Sequence, residues 1–245
     1  MTFKDFQKEL WSSLMPSGTE LAKKAQEKLT IDKSELPQRF NSYLRKLIDL
    51  EFEIYKNYER DSATEIIQKA EKKGLLTSKE ALVENFKQNY SQFWGLFLSI
   101  SQSRKTRAGG SFERHVKYLF QLLDYPFERQ QDLDGVVDYL IPSLAAFKKN
   151  RTACVVLSAK RTLRERWRQV IGELASTNAG KIYILTADED ISHSKVAEIA
   201  THNINLVVWD EYKKKKFADN YNVIGFTDLV NVHLPASKNL WEHLL

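Results

Sequence analysis

Asp138, Lys160 and Glu173 are residues of the types that carry out metal-assisted phosphate chemistry. Asp138 lies in the β-branched run Val136-Val137-Asp138-Tyr139-Leu140-Ile141. Lys160 closes a second apolar run that starts at Cys154, and Glu173 lies thirteen residues further on, in an arginine-rich helix candidate. Two carboxylates offer hard oxygen ligands for Mg²⁺, and an adjacent ammonium positions a water and offsets charge developing on a phosphate. A charge at the end of an apolar strand is expensive unless solvated or paired, so these residues call for an explanation. In many metal nucleases an acid stands two residues before the strand lysine. Here that residue is Ser158, on the same strand face as Lys160. Glu173 supplies the missing acid if its helix packs back over the strand end, and the stripe Leu163, Trp167, Val170, Ile171 and Leu174 gives that helix a docking face. The competing reading makes Lys160 a solubilising charge and Glu173 a surface residue.

The residues between them suit a nucleic acid. Segment 162–175 reads as a helix opening with Thr162 and Glu165, a capping-box pair. Arg164 and Arg166 flank that glutamate in the first turn, against the positive end of the helix dipole, where a purely structural role is poorly served. Helix N-termini enter the DNA major groove. There arginine binds guanine O6 and N7 in two-pronged fashion and glutamate accepts from cytosine N4, so Arg164-Glu165-Arg166 is fitted to read adjacent G·C pairs. A second basic segment, Ser103-Arg104-Lys105-Thr106-Arg107-Ala108-Gly109-Gly110-Ser111, reads as a glycine-containing loop feeding a helix from Phe112. It lacks P-loop spacing, and Arg104, Lys105 and Arg107 are candidates for phosphate or base contact. Glu113, early in that helix, is either a further acid near the metal or a residue favouring the helix N-terminus.

Composition sets the bounds. The 245 residues suffice for one large domain or two small ones, and 42% hydrophobic with 28% charged residues is ordinary globular content. No apolar stretch approaches the ~18 residues of a membrane helix, and the early acid Asp5 argues against a signal peptide. The single cysteine, Cys154, excludes an internal disulfide framework and Cys-rich zinc modules, and the five histidines show no ligand spacing. An intracellular, cytoplasmic protein without an organic cofactor is expected. The net charge of +5 is unevenly placed: residues 103–117 and 160–168 each hold five basic residues against one acid. Two such patches point to a polyanion, with a solvated basic face as the alternative. Lys213-Lys214-Lys215-Lys216 reads as a solvated run.

The elements that must position these groups follow from periodicity. Residues 1–100 read as helical, with apolar recurrence at three and four through 40–58 and 80–99, and with Gly74 ending a helix that begins near Ser62. From about Ser111 the rhythm changes to a helix over 112–123, strands at 136–141 and 152–159, the helix 162–175, a break at Asn178-Ala179-Gly180, a strand at 182–185, a short helix near 194–201 and a strand at 204–209. Strands alternating with helices predict an α/β fold covered on both faces, its later strands parallel, with the site at strand ends. The division expected is a helical region over 1–100 and a catalytic and recognition core over 101–245, within one compact whole.

Residues 103–113 (SRKTRAGGSFE), Asp138 and 158–173 (SAKRTLRERWRQVIGE) resemble the EcoRII/SsoII/Ecl18kI/PspGI group of Type II restriction endonucleases, nearest its PspGI branch. The resemblance covers roughly residues 101 to 234 and is specific, because the twenty-two and thirteen residue spacings accompany the Arg-Glu-Arg triplet. It implies a variant PD-(D/E)XK core, a central mixed sheet flanked by helices, with the second acid displaced to the following helix. Carried over, Asp138, Lys160 and Glu173 are catalytic, Asp138 and Glu173 hold Mg²⁺, and Arg164, Glu165 and Arg166 read CC/GG. Val137 stands where the motif has proline. The resemblance further implies a prokaryotic homodimer that cuts duplex DNA before the first C of a CC-GG site, leaving five-nucleotide 5′ overhangs and flipping the central bases. CCWGG is the site of the PspGI branch, whereas the SsoII branch accepts any central pair. Two rival readings stand beside this one: a structure-specific repair or junction-resolving nuclease, and a non-catalytic DNA-binding protein in which Asp138 and Lys160 form a buried ion pair.

Overall fold

Apolar residues spaced by three and four build the N-terminal half into helices. The computed structural model describes residues 1–77, 82–133, 136–163 and 167–244, leaving aside the side chains of Leu82, Gln130, Gln131, Asp132 and Val136. Helices α1 (Phe3–Leu14) and α2 (Gly18–Lys28) each start with a reciprocal capping box, Thr2 with Asp5 and Ser17 with Glu20. Helix α3 (Leu36–Lys72) is far longer than the segment expected from Ser62, with one non-helical residue, Arg39. Gly74, at φ +68, ends it: Gly74 N–H donates to Glu71 and Leu75 N–H to Ala70, a Schellman stop that needs a residue tolerant of the left-handed region. Helices α4 (Leu82–Gln88) and α5 (Tyr90–Leu122) follow.

Helix α5 corrects one expectation. Residues 103–111 are not a loop but lie inside it, with Gly109-Gly110 in the helical run. Each glycine costs ~1 kcal/mol relative to alanine in a helix. Leu96, Phe112, Val116, Leu119 and Phe120, all buried, dock the two halves of the helix and override that penalty.

The chain divides into two compact units, Met1–Thr30 with Leu47–Ser111 and Ile31–Lys46 with Phe112–Leu245. The first has small apolar cores, one of Met15, Leu21, Ala25, Ile54 and Tyr55 and another of Phe6, Ala70 and Leu76. The second is built on a six-stranded sheet of β1 (Glu128–Asp132), β2 (Val136–Ile141), β3 (Val155–Lys160), β4 (Lys181–Thr186), β5 (Ile204–Val208) and β6 (Val223–Gly225), in sequence order. β1, β2 and β3 pair antiparallel, and β3 to β6 pair parallel. Helices α6 (Leu144–Lys149), α7 (Trp167–Ser176), α8 (His193–Ala200), α9 (Asp210–Lys216), α10 (Phe226–Asp228) and α11 (Leu234–Trp241) complete it. Val155 to Ala159 are all buried, as are Ile182 to Thr186, which is why those runs do not alternate. Phe40, Phe120 and Tyr139 make a chain of ring contacts at 5.7 and 5.8 Å on the β2 side.

Among the described residues the mixed sheet agrees with the sequence reading, and the short edge strands β1 and β6 add to it. β3 begins at Val155 rather than Thr152, because residues Arg151–Ala153 form a 3-10 turn capped by the Asn150 side chain. Gly180 sits where any larger residue collides: a Cβ there would lie 1.8 Å from the Thr152 carbonyl oxygen. No helix among the described residues is long and apolar enough to cross a membrane.

Candidate active site

The antiparallel pairing of β2 and β3 puts Tyr139 opposite Leu157, so Asp138 falls opposite Ser158 on the face that also carries Lys160. One carboxylate oxygen collects three donors. Asp138 Oδ2 accepts from Ser158 Oγ at 2.9 Å, from the Ala159 backbone N–H at 2.7 Å and from Lys160 Nζ at 3.0 Å. Asp138 is 8% exposed and Ser158 1%, whereas the Lys160 side chain keeps 36% of its surface at the rim. Charge-assisted bonds of this kind are short and strong, and they fix the carboxylate plane. Among the described residues all three donors converge on Oδ2 and none on Oδ1. Hard oxygens are what Mg²⁺ selects, and Mg²⁺ is bound by one or two carboxylates while keeping several waters. The donor set at Asp138 fits that ion. No group of three or more His, Cys, Asp or Glu side chains among the described residues forms a fuller cage.

The remaining candidates are placed unequally. Helix α7, which carries Glu173, packs against β2, the strand of Asp138. Its apolar stripe does this, since Trp167, Ile171 and Leu174 are buried. The Glu173 carboxylate is partly exposed and accepts from Gln169 Nε2 at 2.8 Å, with no bond to Asp138 or Lys160. Glu113 is occupied elsewhere: its carboxylate pairs with Arg129, and its carbonyl accepts the Tyr139 hydroxyl at 2.7 Å. Burial raises the Tyr139 phenol far above its usual range, so it stays a donor.

Arg164, Glu165 and Arg166 lie outside the described residues. Thr162 and Leu163, expected to open a helix, are not helical, and described helix resumes at Trp167. The backbone of Arg161 and Leu163 is claimed by neighbours that sequence reading missed. Asp188, beyond β4, accepts the Leu163 N–H at 2.8 Å; Lys195 donates to the Leu163 carbonyl at 2.6 Å; Thr186 donates to the Arg161 carbonyl at 3.3 Å. An acid just past an apolar strand, as in Ala187-Asp188-Glu189-Asp190, was the available signal for Asp188. Ser158 was read only as an absent acid, whereas its hydroxyl is a donor to Asp138.

The basic segment on α5 splits in two. Arg104 is held by Glu59, its Nε donating at 2.8 Å, and Arg107 donates to the Pro16 carbonyl at 2.7 Å and lies over the Tyr55 ring. Both are engaged within their own unit. Lys105 is exposed.

Comparison with known proteins finds relatives both in sequence and in fold. It aligns with the Type II restriction enzyme SsoII of Shigella sonnei at 27% identity over 173 residues, 66% of this chain and 56% of that protein. With the Type II restriction enzyme EcoRII of Escherichia coli it shares 28% over 130 residues, 51% of this chain and 32% of that protein. The chain thus spans about half and a third of the length of these relatives. Metal-depleted Ecl18kI in complex with uncleaved DNA superposes with a TM-score of 0.83 at 22% identity, covering 98% of this chain and 84% of that one. The PspGI–substrate DNA complex superposes with a TM-score of 0.68 at 19% identity, covering 93% and 94%. Those likenesses establish a shared fold. The family model described as EcoRII C terminal matches residues 44–230, a span that takes in Asp138, Lys160 and Glu173 and most of both units, and on that match this chain belongs to the EcoRII C-terminal family.

Proposed function

We propose that this protein is a Type II restriction endonuclease, a Mg²⁺-dependent enzyme of the prokaryotic cytoplasm that cuts both strands of duplex DNA at a short palindrome. The observation that carries the reading is the Asp138 carboxylate, buried at the junction of β2 and β3 and oriented by Ser158, Ala159 and Lys160, with α7 packed against β2. Asp138 and Glu173 are the ligands for the metal, which when bound lowers the pKa of a water and offsets charge on the phosphate. Lys160, fixed by Asp138 at one side and open at the rim, orients the attacking water and stabilises the charge that develops on the phosphoryl oxygens. Ser158 holds the carboxylate plane and takes no part in metal binding.

Recognition belongs to Arg164, Glu165 and Arg166, which follow a segment pinned by Asp188 and Lys195. Their chemistry suits C·G pairs, and the site proposed is CCWGG, cut before the first C with five-nucleotide 5′ overhangs and the central bases flipped. A homodimer presents one catalytic centre to each strand. Lys105 contributes a phosphate contact. Glu113, paired with Arg129, has a structural part.

Run-off sequencing of a plasmid digest tests the whole reading. Discrete Mg²⁺-dependent fragments with staggered CC-GG ends are expected, and the central pair read from the ends separates W from N. A smear or a preference for branched duplexes overturns the restriction reading. DNA binding with no cleavage in any divalent metal overturns catalysis.

A further inference from the structure

Leu163 and Trp167 flank the triplet Arg164-Glu165-Arg166, and both are buried. Two charged side chains grip the main chain at Leu163. Asp188 Oδ2 accepts its N–H at 2.8 Å, and Lys195 Nζ donates to its carbonyl at 2.6 Å. The same ammonium lies 5.5 Å from the centre of the Trp167 ring. One lysine therefore touches the chain on both sides of the triplet. Arg168, the next residue, forks onto Glu198 of the same helix α8, Nε to Oε1 at 2.7 Å and Nη2 to Oε2 at 3.0 Å. The grip is itself held. Asp188 Oδ1 accepts the Asp190 N–H at 3.0 Å while Oδ2 serves Leu163, and the Asp188 N–H donates to Thr186 Oγ1 at 3.1 Å. Lys195 stands in the first turn of α8, where the Ser192 cap accepts its N–H at 3.2 Å, and the buried Val196 and Ile199 dock that helix.

Burial of the Leu163 side chain already fixes where the chain lies, so the two charged bonds add something else. The N–H and C=O of Leu163 belong to the two planar peptide groups on either side of its Cα. Gripping both sets its φ and ψ, and with them the direction in which the chain enters Arg164. Direction matters to a planar guanidinium that must meet two acceptors on one base edge. A misplacement of about 1 Å in a positioned group can cost ~10²-fold. The same neighbours tie the triplet to the chemistry. Lys160 lies level with Thr186 in the parallel register of β3 and β4, and Thr186 Oγ1 donates to the Arg161 carbonyl at 3.3 Å. Thr186 and Asp188, at the end of β4, thus hold the chain between Lys160 and Arg164. We infer that Asp188 and Lys195 are positioning residues for sequence recognition, setting the specificity of the triplet through the backbone that presents it. The inference rests on the reading of Arg164, Glu165 and Arg166 as the recognition residues and names what aims them.

Equilibrium binding of the full chain to a CCWGG duplex and to a scrambled duplex, with Ca²⁺ in place of Mg²⁺ so that neither is cut, reads the effect as a ratio of affinities. Asp188→Ala, and Lys195→Met, which keeps the aliphatic stem over Trp167, are each expected to lower that ratio at least about 10-fold. The scrambled duplex, held by phosphate contacts, should lose much less. Asp188→Asn keeps an acceptor for the Leu163 N–H and Lys195→Arg keeps a donor for its carbonyl, so each should restore most of the ratio. Ser143→Ala is the stability control. It removes the α6 cap, whose Oγ accepts the Ala146 N–H at 3.2 Å, and should lower the urea midpoint with the ratio at its wild-type value. Asp188→Ala combined with Arg164→Lys should lose less than the sum of the two, because the first acts through the second. Should Asp188→Ala fail to fold by circular dichroism, Lys195→Met carries the test. A wild-type ratio in the folded variants, equal losses on both duplexes, or additive losses in the double variant overturns the inference and leaves the triplet reading in place. Wild-type protein with no preference for any CC-GG duplex refutes the triplet reading itself, and the inference falls with it.

Discussion

Ser158→Ala and Glu173→Ala should separate stability from activity in opposite directions. Ser158 is 1% exposed and its hydroxyl is 2.9 Å from Asp138 Oδ2, so no water replaces the lost donor. A hydrogen bond to a charged group contributes ~1.5–3 kcal/mol. Oδ2 keeps the Ala159 N–H at 2.7 Å and the Lys160 ammonium at 3.0 Å, which places the cost at the low end, about 1.5 kcal/mol. Carried entirely into the transition state, that is a ~10-fold loss of rate. Glu173 is the reverse case. The one described partner of its carboxylate is Gln169, one helical turn away on a partly exposed face, so truncation should change stability by no more than ~0.5 kcal/mol. As a metal ligand it should cost at least about 10²-fold in the chemical step. The assay is single-turnover cleavage of a plasmid carrying one site at saturating Mg²⁺, alongside urea unfolding of each variant. A Glu173→Ala enzyme within a few-fold of wild type refutes the displaced acid, and a larger rate loss for Ser158→Ala than for Glu173→Ala refutes the division of labour altogether.

Arg164→Lys or Arg166→Lys should weaken cognate binding by about 1–3 kcal/mol and non-specific binding little, because an ammonium lacks the planar fork. Lys105→Ala should weaken both duplexes alike and flatten the salt dependence by about one charge; equal losses on cognate and scrambled duplexes for the arginine variants would demote the triplet to backbone contacts. Gly180→Ala should destabilise by about 3 kcal/mol or more, because the Cβ meets backbone that cannot yield; an unchanged urea midpoint would contradict that close approach. His233, beside Tyr183 at 3.4 Å, has a pKa lowered by burial, with Lys181 lowering and Asp228 raising it. Its neutral form is favoured on folding, so its contribution is whole above about pH 6.5 and is lost as pH falls through the lowered folded value. Urea titrations should show the gap between wild type and His233→Gln narrowing from pH 7.5 to pH 5, and a gap that widens would reverse the sign.

The catalytic candidates were legible because their chemistry conflicts with their setting. An aspartate and a lysine in apolar strands are costly, and that cost is visible in Val136–Ile141 and Val155–Lys160 before any fold is known. Strand identity, the parallel half of the sheet and the Gly74 stop followed from local rules of burial and backbone freedom. Local rules failed where packing outweighs propensity. Gly109-Gly110 read as a loop, yet they lie inside α5, which has buried residues on both sides of them. Arg104 and Arg107 read as candidates for phosphate or base contact, and sequence alone did not show that Glu59 and the Pro16 carbonyl hold them from residues 45 and 91 positions away. Only the tertiary structure made Ser158 a donor to Asp138, since that bond needs β2 and β3 in one antiparallel register. Asp188 and Lys195 likewise become anchors of the segment before the arginine triplet only once β4 and α8 are folded beside it. Residue type declares which groups carry charge and what they cost to bury; their partners depend on register and packing between segments far apart in the chain.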